Sequence, residues 1–406
     1  MIASEYQPLS SSAAVQLANL SKEIANHGYS VVVIVPGTNQ RKGIELSANH
    51  GVKVIRVKSI NTKSTFYFIR VIAEFLSPYI MLLRLISNAR KEISFEECFA
   101  IIWYSPSIFI VPLVKYFKKR TSAPSYLILR DIFPKWAFDL GLIKNRIVYL
   151  IFKFFENRQY KYADVIGVQS RGNLNYFKHE NPIENVKLEV LHNWLSRSTF
   201  NKNDQFNLNL ISFKNKKIFV YAGNMGIAQG LDILIYTIKG LSYRDDVGFL
   251  FVGRGSEVER LSALANDLSI KNIIFADEIP SSQISSLYKH CHFGIVCLDK
   301  RHKTHNIPGK FLSYLEAGLP VLALVNPGND LTGIIKSNNV GVVSTSYSET
   351  ELIDKINYLL DDASYEYYSL SCRNLYKKSY STEFAVRKIL LALRAIKLKN
   401  KYRDLQ

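Results

Sequence analysis

Short apolar runs alternate with helix-spaced segments twice over along this 406-residue chain. In the amino half, residues 31–35, 51–57, 100–104, 125–129 and 165–169 read as strands. Between them lie segments such as Ala14, Leu17, Ala18, Leu20, Ile24 and Ala25, apolar at near-helical spacing. The carboxyl half repeats the plan, with strands at 217–222, 247–253, 272–275, 293–298 and 321–325. Strand–helix alternation builds a parallel sheet with helices on both faces, because each crossover packs back onto the sheet. The expectation is an α/β chain of two doubly wound parallel-sheet domains, 1–200 and 210–375, separated by an Asn- and Lys-rich stretch. A last helix from about 382 to 399 carries Phe384, Ile389, Leu390 and Leu393 on one side. The length fits two domains.

Residues 304–324, THNIPGKFLSYLEAGLPVLAL, carry the sharpest local signal. Pro308 and Gly309 open a helix, since a proline in the first turn loses no hydrogen bond the helix needs. Lys310 then stands beside backbone N–H groups that have no intrahelical partner. Gly318 ends the helix where a left-handed residue is wanted, and Pro320 stops it resuming. The apolar run that follows reads as a strand buried on both faces. A cation at an exposed helix start, at the carboxyl edge of a parallel sheet, suits a phosphate.

Other turns fit the same picture. Gly223, Asn224, Gly226 and Gln229 lie between a strand and the next helix, in a glycine-rich turn that lets a diphosphate approach backbone N–H groups. Gly253-Arg254-Gly255 follows the second strand of that half; Arg254 reads either as a phosphate or base contact or as a solvated surface arginine. In the amino half, Asp131 of Arg130-Asp131-Ile132-Phe133-Pro134 stands at the end of a strand. It either accepts a bond from a substrate hydroxyl or caps the helix carrying Trp136 and Phe138. The serines of residues 7–12 suit a phosphate or a helix cap equally.

Gly318, Pro320 and Val321, together with Pro308-Gly309-Lys310, resemble the donor-site signature of the retaining GT-B glycosyltransferases of family 4. The wording is that of the P-[SG]-K variant found among O-antigen and capsule enzymes. The family's two glutamates are replaced by His305 and Ser313, with Glu316 three residues later. The resemblance spans most of the chain and is strongest over 217–326. It implies a GT-B fold, two Rossmann-like domains facing a cleft, with the C-terminal helix (382–406) packing back on the first. The nucleotide-sugar donor would bind the second domain and the acceptor the first.

The resemblance also implies roles. Gly223, Gly226, Pro308, Gly309 and Lys310 would hold the donor phosphates, with Asn224 and Gln229 where the family carries arginine and lysine. Arg254 belongs to the second glycine turn, and Ile279 would meet the nucleobase through main-chain atoms, unless its loop is an ordinary turn. His305 and Asn306 would hold the transferred sugar, with Ser313 and Glu316 on the helix behind them. Asp131, in a D-x-x-P turn, would meet the acceptor, and residues 191–194 resemble the interdomain turn. Lys310, His305 and Asp131 would carry the chemistry, with the leaving diphosphate itself taking the acceptor's proton. The NIPGKFLSY wording is similar to that of bacterial transferases that add N-acetyl-L-fucosamine from a UDP donor during O-antigen assembly, a branch of lipopolysaccharide biosynthesis.

The net charge of +18, concentrated in the first 200 residues, attracts polyanions: nucleic acid, anionic lipid or a diphosphate. No recognition helix or zinc module points to nucleic acid. D-x-D, H-E-x-x-H, G-x-S-x-G and the P-loop pattern are all missing, so metal-independent transfer is expected, with a UDP-sugar as substrate and no cofactor. The four cysteines lack metal or redox spacing, and Cys291 and Cys297 read as buried thiols of a reducing compartment. The opening MIASEYQP has no basic n-region and is short for a first strand. Residues 65–86 are apolar but interrupted by Arg70, Glu74, Pro78 and Arg84, which argues against a span. Residues 108–120 and 146–161 mix aromatic and basic side chains as headgroup-facing helices do. A peripheral position on the inner face of a bacterial cytoplasmic membrane, beside a lipid-linked acceptor, follows as an expectation.

Two rivals remain open at this level. A GT-B sugar-nucleotide epimerase needs carboxylates and a histidine converging on the sugar, and the expected loops hold few acids. A non-catalytic membrane-associated scaffold fits the loss of both family glutamates and both phosphate cations.

Overall fold

The computed structural model describes residues 1–9, 11–37, 43–49, 51–62, 67–88, 97–105, 107–139, 141–181, 186–197, 213–301, 307–361 and 365–403. His305 and Asn306 lie outside the described residues.

The chain divides into two units, Met1–His192 with Thr382–Gln406, and Asn193–Ser381. The residues just after His192 go with the second unit because Leu195 is tied there. Its N–H donates to the Tyr380 carbonyl at 2.9 Å, and the Tyr376 hydroxyl donates to the Leu195 carbonyl at 2.9 Å.

The first unit runs α1 (Ser12–Asn26), β1 (Val31–Gly37), β2 (Ile44–Asn49), β3 (Val52–Lys58), α2 (Tyr67–Asn88), β4 (Ile101–Tyr104) and α3 (Val111–Thr121). It continues through β5 (Ser125–Leu129), α4 (Lys135–Asp139), α5 (Arg146–Lys161), β6 (Val165–Val168), α6 (Arg171–Glu180) and β7 (Lys187–Val190). The strands β4, β5 and β6 are buried along their whole length, as continuous apolar runs in a covered parallel sheet must be. Two ladders form, β2-β3-β1 and β4-β5-β6-β7. Ile2 bridges them, pairing in parallel with both Ile34 and Trp103. Its N–H donates to the Ile102 carbonyl at 2.9 Å, and its carbonyl accepts from the Tyr104 N–H at 3.2 Å. The first residues therefore occupy the place of a central strand, short as they are. The sheet is not wholly parallel: β2 runs antiparallel to β3, around a turn in which Gly51 takes φ +77°.

One loop takes the local reading of the sequence, a helix cap, and another does not. Ser11 caps α1, its hydroxyl oxygen accepting from the Ala14 N–H at 3.3 Å while the hydroxyl donates to Glu5 at 2.6 Å. Asp131 does not cap a helix, since α4 starts only at Lys135.

The second unit contains β8 (Lys217–Ala222), α7 (Asp232–Gly240), β9 (Val247–Val252), α8 (Val258–Asp267), β10 (Ile273–Ala276), α9 (Ile284–Tyr288) and β11 (Phe293–Cys297). After these come α10 (Gly309–Ala317), β12 (Val321–Leu324), α11 (Asp330–Asn338), β13 (Gly341–Ser344), α12 (Glu349–Leu360) and α13 (Tyr365–Leu375). The final helix, α14 (Thr382–Arg403), returns to the first unit. There it buries Ala385, Val386, Ile389, Leu390 and Leu393, and Arg394 donates to the Tyr29 hydroxyl at 2.8 Å.

The second sheet is parallel throughout, in the order β10-β9-β8-β11-β12-β13. Counted within the unit, chain order steps outward from β8 to β10 and then reverses to β11. The gap between the carboxyl ends of β8 and β11 is the switch point where open α/β sheets take their ligands. Rings stack across one face: Phe219 on Phe249 and Phe293 at 5.3 and 4.5 Å, Tyr221 on Phe251 at 5.8 Å, Phe251 on Phe275 at 5.2 Å. That face is sealed by hydrocarbon, which leaves the strand ends as the polar part of the sheet.

Candidate functional site

The turn after β8 is shaped by close backbone approach. Gly223 has φ +133° and donates its N–H to the Val252 carbonyl at 2.9 Å. Gly253, at φ +151°, lies so near that a Cβ on it would overlap the Gly223 carbonyl. A Cβ on Gly255, also at φ +151°, would overlap the Met225 carbonyl. Met225 donates to the Arg254 carbonyl at 2.8 Å and accepts from the Glu257 N–H at 3.0 Å. The two glycine turns seen in the sequence are thus one stacked structure, and only glycine fits its contacts.

Inside the first turn, Gln229 folds back. Its Oε1 accepts from the Gly226 N–H at 2.9 Å and from Asn224 Nδ2 at 3.0 Å. Asn224 and Gln229 therefore brace the turn against each other, with Asn224 exposed. The Tyr221 hydroxyl donates to the Asn224 carbonyl at 2.6 Å.

Helix α10 enters this turn from the other side. Pro308 is its N-cap residue in extended conformation, and no side chain of the described residues caps it. Phe311, Leu312, Tyr314 and Leu315 are buried. Tyr314 pins the helix to the sheet: its hydroxyl donates to the Val220 carbonyl and accepts from the Ala222 N–H, both at 3.1 Å. Gly318 ends the helix at φ +77°. With α10 so fixed, the Lys310 ammonium lies 3.3 Å from the centre of the Tyr221 ring. A Cβ on Gly223 would be 3.6 Å from Lys310 Cε and 3.7 Å from Nζ. Burial of the ammonium lowers the Lys310 pKa to about 7, with the nearby Cys297 opposing the shift. Burial in turn pushes the Cys297 thiol up to about 12, and Lys310 pulls it back.

The remaining expected residues are scattered. Ser313 turns its hydroxyl back to the Gly309 carbonyl at 3.5 Å. Glu316 follows Lys310 by six positions, ~240° around the helix, and its charge acts on the Tyr288 and Tyr376 hydroxyls. Arg254 is exposed and 3.3 Å from Glu278. The Ile279 side chain packs on the core beside α9. Asp131 belongs to the first unit, where burial raises its carboxyl pKa and Arg130 opposes the rise. Arg130 itself is buried, donating to the Leu191 carbonyl at 3.1 Å with its guanidinium 5.8 Å over the Tyr104 ring.

In the sequence Tyr221 falls inside the strand 217–222, and Tyr314 inside the helix of Lys310, neither with a role of its own. Tyr221 is the floor on which the lysine lies, and Tyr314 is the bolt that holds the lysine's helix. Three further ion pairs, on two arginines, escaped the sequence. Arg301 is clasped by Asp299 (2.7 and 2.9 Å), and Arg260 bridges Asp232 (2.6 and 2.9 Å) and Glu257 (2.7 Å). With Gly226 they line a pocket of about 220 Å³ beside the first glycine turn.

A chain with two Rossmann-like units of this topology has the GT-B fold. Residues 203–380 match the sequence profile of the family described as Glycosyl transferases group 1. The probable glycosyltransferase WbjE of Pseudomonas aeruginosa is 22% identical over 278 residues, 67% of each chain. Among solved structures, Anabaena Alr3699/HepE in complex with UDP and glucose superposes with a TM-score of 0.61 at 14% identity, over 97% of this chain and 99% of that one. WaaG, a glycosyltransferase involved in lipopolysaccharide biosynthesis, gives 0.55 at 13% identity, over 96% and 98%. The profile match lies wholly within the second unit.

Proposed function

We propose that this protein transfers a sugar from a UDP-sugar to a polyprenyl-diphosphate-linked acceptor in the assembly of a bacterial surface polysaccharide, O-antigen among them. The observation that carries the reading is the placement of Lys310. A cation held at a helix start, against stacked glycine turns that admit no side chain at Gly253 or Gly255, sits at the switch point of a parallel sheet. That is what a leaving diphosphate needs: backbone N–H groups, the positive end of a helix, and one mobile charge. The relatives' names agree with the direction, since one was solved with UDP and another acts in lipopolysaccharide synthesis.

In the reaction, the bond from the sugar's anomeric carbon to the donor's β-phosphate oxygen breaks, and a bond to the acceptor hydroxyl oxygen forms. The acceptor's proton passes to the departing diphosphate. Gly223, Gly226, Gly309 and Lys310 stabilise the charge that develops there, with Asn224 and Gln229 holding the turn in shape. Asp131, on the first unit, accepts the acceptor's hydroxyl. His305 and Asn306 are assigned to the sugar by the family resemblance. No group in this scheme calls for a metal, and we propose metal-independent transfer of a hexose-type sugar. The resemblance of the PGK segment to N-acetyl-L-fucosamine transferases supports that sugar as the first to try. No helix of the described residues is long and apolar enough to cross a membrane, so a lipid-linked acceptor would be met from the surface.

The test is a screen of the purified chain against UDP-, GDP- and dTDP-sugars with a short polyprenyl-diphosphate acceptor. Acceptor-dependent release of UDP is the expected outcome. Tight UDP-sugar binding with isomerisation and no UDP release would make it an epimerase, and folded protein with no nucleotide binding would make it a scaffold.

A further inference from the structure

Helix α2 exposes Ile69, Ile72, Leu76, Tyr79 and Leu83, from 39% for Leu76 to 69% for Leu83. Their spacing of three and four residues places them in one stripe. The other side of the helix buries Ala73, Met81 and Leu85. Helix α5 does the same. Ile147, Leu150, Ile151 and Phe154 are each more than half exposed, while Phe152 and Tyr160 are buried. The two helices meet through Phe75 and Phe155 at 5.4 Å, and both rings rest on Phe109 at 5.7 and 5.2 Å. Two neighbouring helices that turn apolar stripes outward make a patch that a water-facing surface does not carry without a partner.

The rim of this patch is positive. Lys144, Arg146, Arg158 and Lys161 are exposed around α5. The one acid in that segment, Glu156, is buried and paired with Lys153 at 2.6 Å. On α2, Arg70 is matched by Glu74 at 2.9 Å. A second copy of the chain would set this positive rim against itself. An anionic headgroup layer accepts both the charge and the apolar stripes.

We infer that α2 and α5 together form a surface that lies flat on an anionic lipid bilayer, stripes in the acyl boundary and basic rim among the headgroups. Helix α3 offers no apolar stripe to this surface. That helix buries Val111, Leu113, Val114 and Phe117, and Lys118 is engaged with Asp164 at 2.8 Å. The surface is independent of which sugar is moved, or whether one is.

Sedimentation of the full chain with vesicles of equimolar phosphatidylcholine and phosphatidylglycerol tests it. Binding is expected to these vesicles and to fall with added salt, and pure phosphatidylcholine should bind far less. Ile151→Asp with Phe154→Asp should abolish binding. Arg158→Ala with Lys161→Ala, a gentler pair, should weaken it by about fivefold per charge removed. UDP release to a water-soluble acceptor should be the same in both pairs as in the parent, which separates docking from catalysis. Unchanged sedimentation of the aspartate pair overturns the proposal. So does a dimer in vesicle-free buffer that the aspartates dissolve, because the stripes would then belong to an interface between copies.

Discussion

The Lys310 ammonium rests on the face of Tyr221, 3.3 Å from the ring centre. No carboxylate of the described residues pairs with it. The ring's quadrupole favours a cation in that position, while burial makes the proton easy to lose. A donor diphosphate supplies the missing negative charge, which gives the pair its use.

Replacing Lys310 by alanine should therefore cost far more in rate than in stability. Turnover is expected to drop ~100-fold or more, the usual size of a lost transition-state charge contact. The thermal midpoint should hold or rise, because no ion pair is broken and the burial that lowers the lysine's pKa also disfavours its charged form in the folded chain. Acceptor-dependent UDP release beside a melting curve decides; a near-normal rate removes Lys310 from the site.

Donor affinity should depend on pH through the same residue. The empty site loses its charge as pH rises through about 7, and a bound diphosphate favours the charged form. Binding then takes up a proton above that pH. UDP-sugar affinity is expected to be full below about 7 and to fall above it, by up to tenfold per pH unit. Lys310→Arg, whose guanidinium keeps its proton, should flatten the curve. The sign for stability is the reverse: between about 7 and 10.5 the unfolded chain binds more protons at this lysine, so its contribution to stability rises with pH. Calorimetry in buffers of different ionisation enthalpy reads the proton uptake directly, and its absence contradicts the assignment.

Gly253→Ala probes the stacked turns. The new methyl would meet the Gly223 carbonyl, and the φ of +151° is itself unfavourable to alanine. A loss of roughly 2–4 kcal/mol is expected in denaturant unfolding, together with lost nucleotide binding. Gly333→Ala on α11 is the control, since a Cβ there meets nothing within 4 Å.

Asp131→Asn tests the acceptor side. Transfer should fall while UDP-sugar affinity stays as it was, because the residue belongs to the other unit from the donor turn. A change in donor affinity alone would place Asp131 outside the acceptor's reach.

The fold was largely legible because its strands are unbroken apolar runs, such as the IIWY of β4 and the VGFLFV of β9. The helix at Gly309–Ala317 announced both its ends through Pro308 and Gly318. What escaped depends on pairing rather than pattern. β2 alternates weakly and, among the described strands, pairs only with β3, and β7 and β13 are four-residue edge strands. At the site, the glycines and Lys310 could be read from the chain. Tyr221 and Tyr314 could not, since an aromatic near the end of a buried strand or inside a helix looks like core. Glu316 was matched by helical phase to Ser313, yet its surroundings are Tyr288 and Tyr376.

Ile2 has a consequence for how the first unit breathes. Parting β5 from β6 breaks a full ladder, whereas among the described residues the only backbone hydrogen bonds across the seam between β1 and β4 are those of the first three residues. The layer is thus two rafts moored by one short rope. Amides along that mooring, Ile34 and Tyr104 among them, should trade their hydrogens for deuterium well before those at the centre of β5.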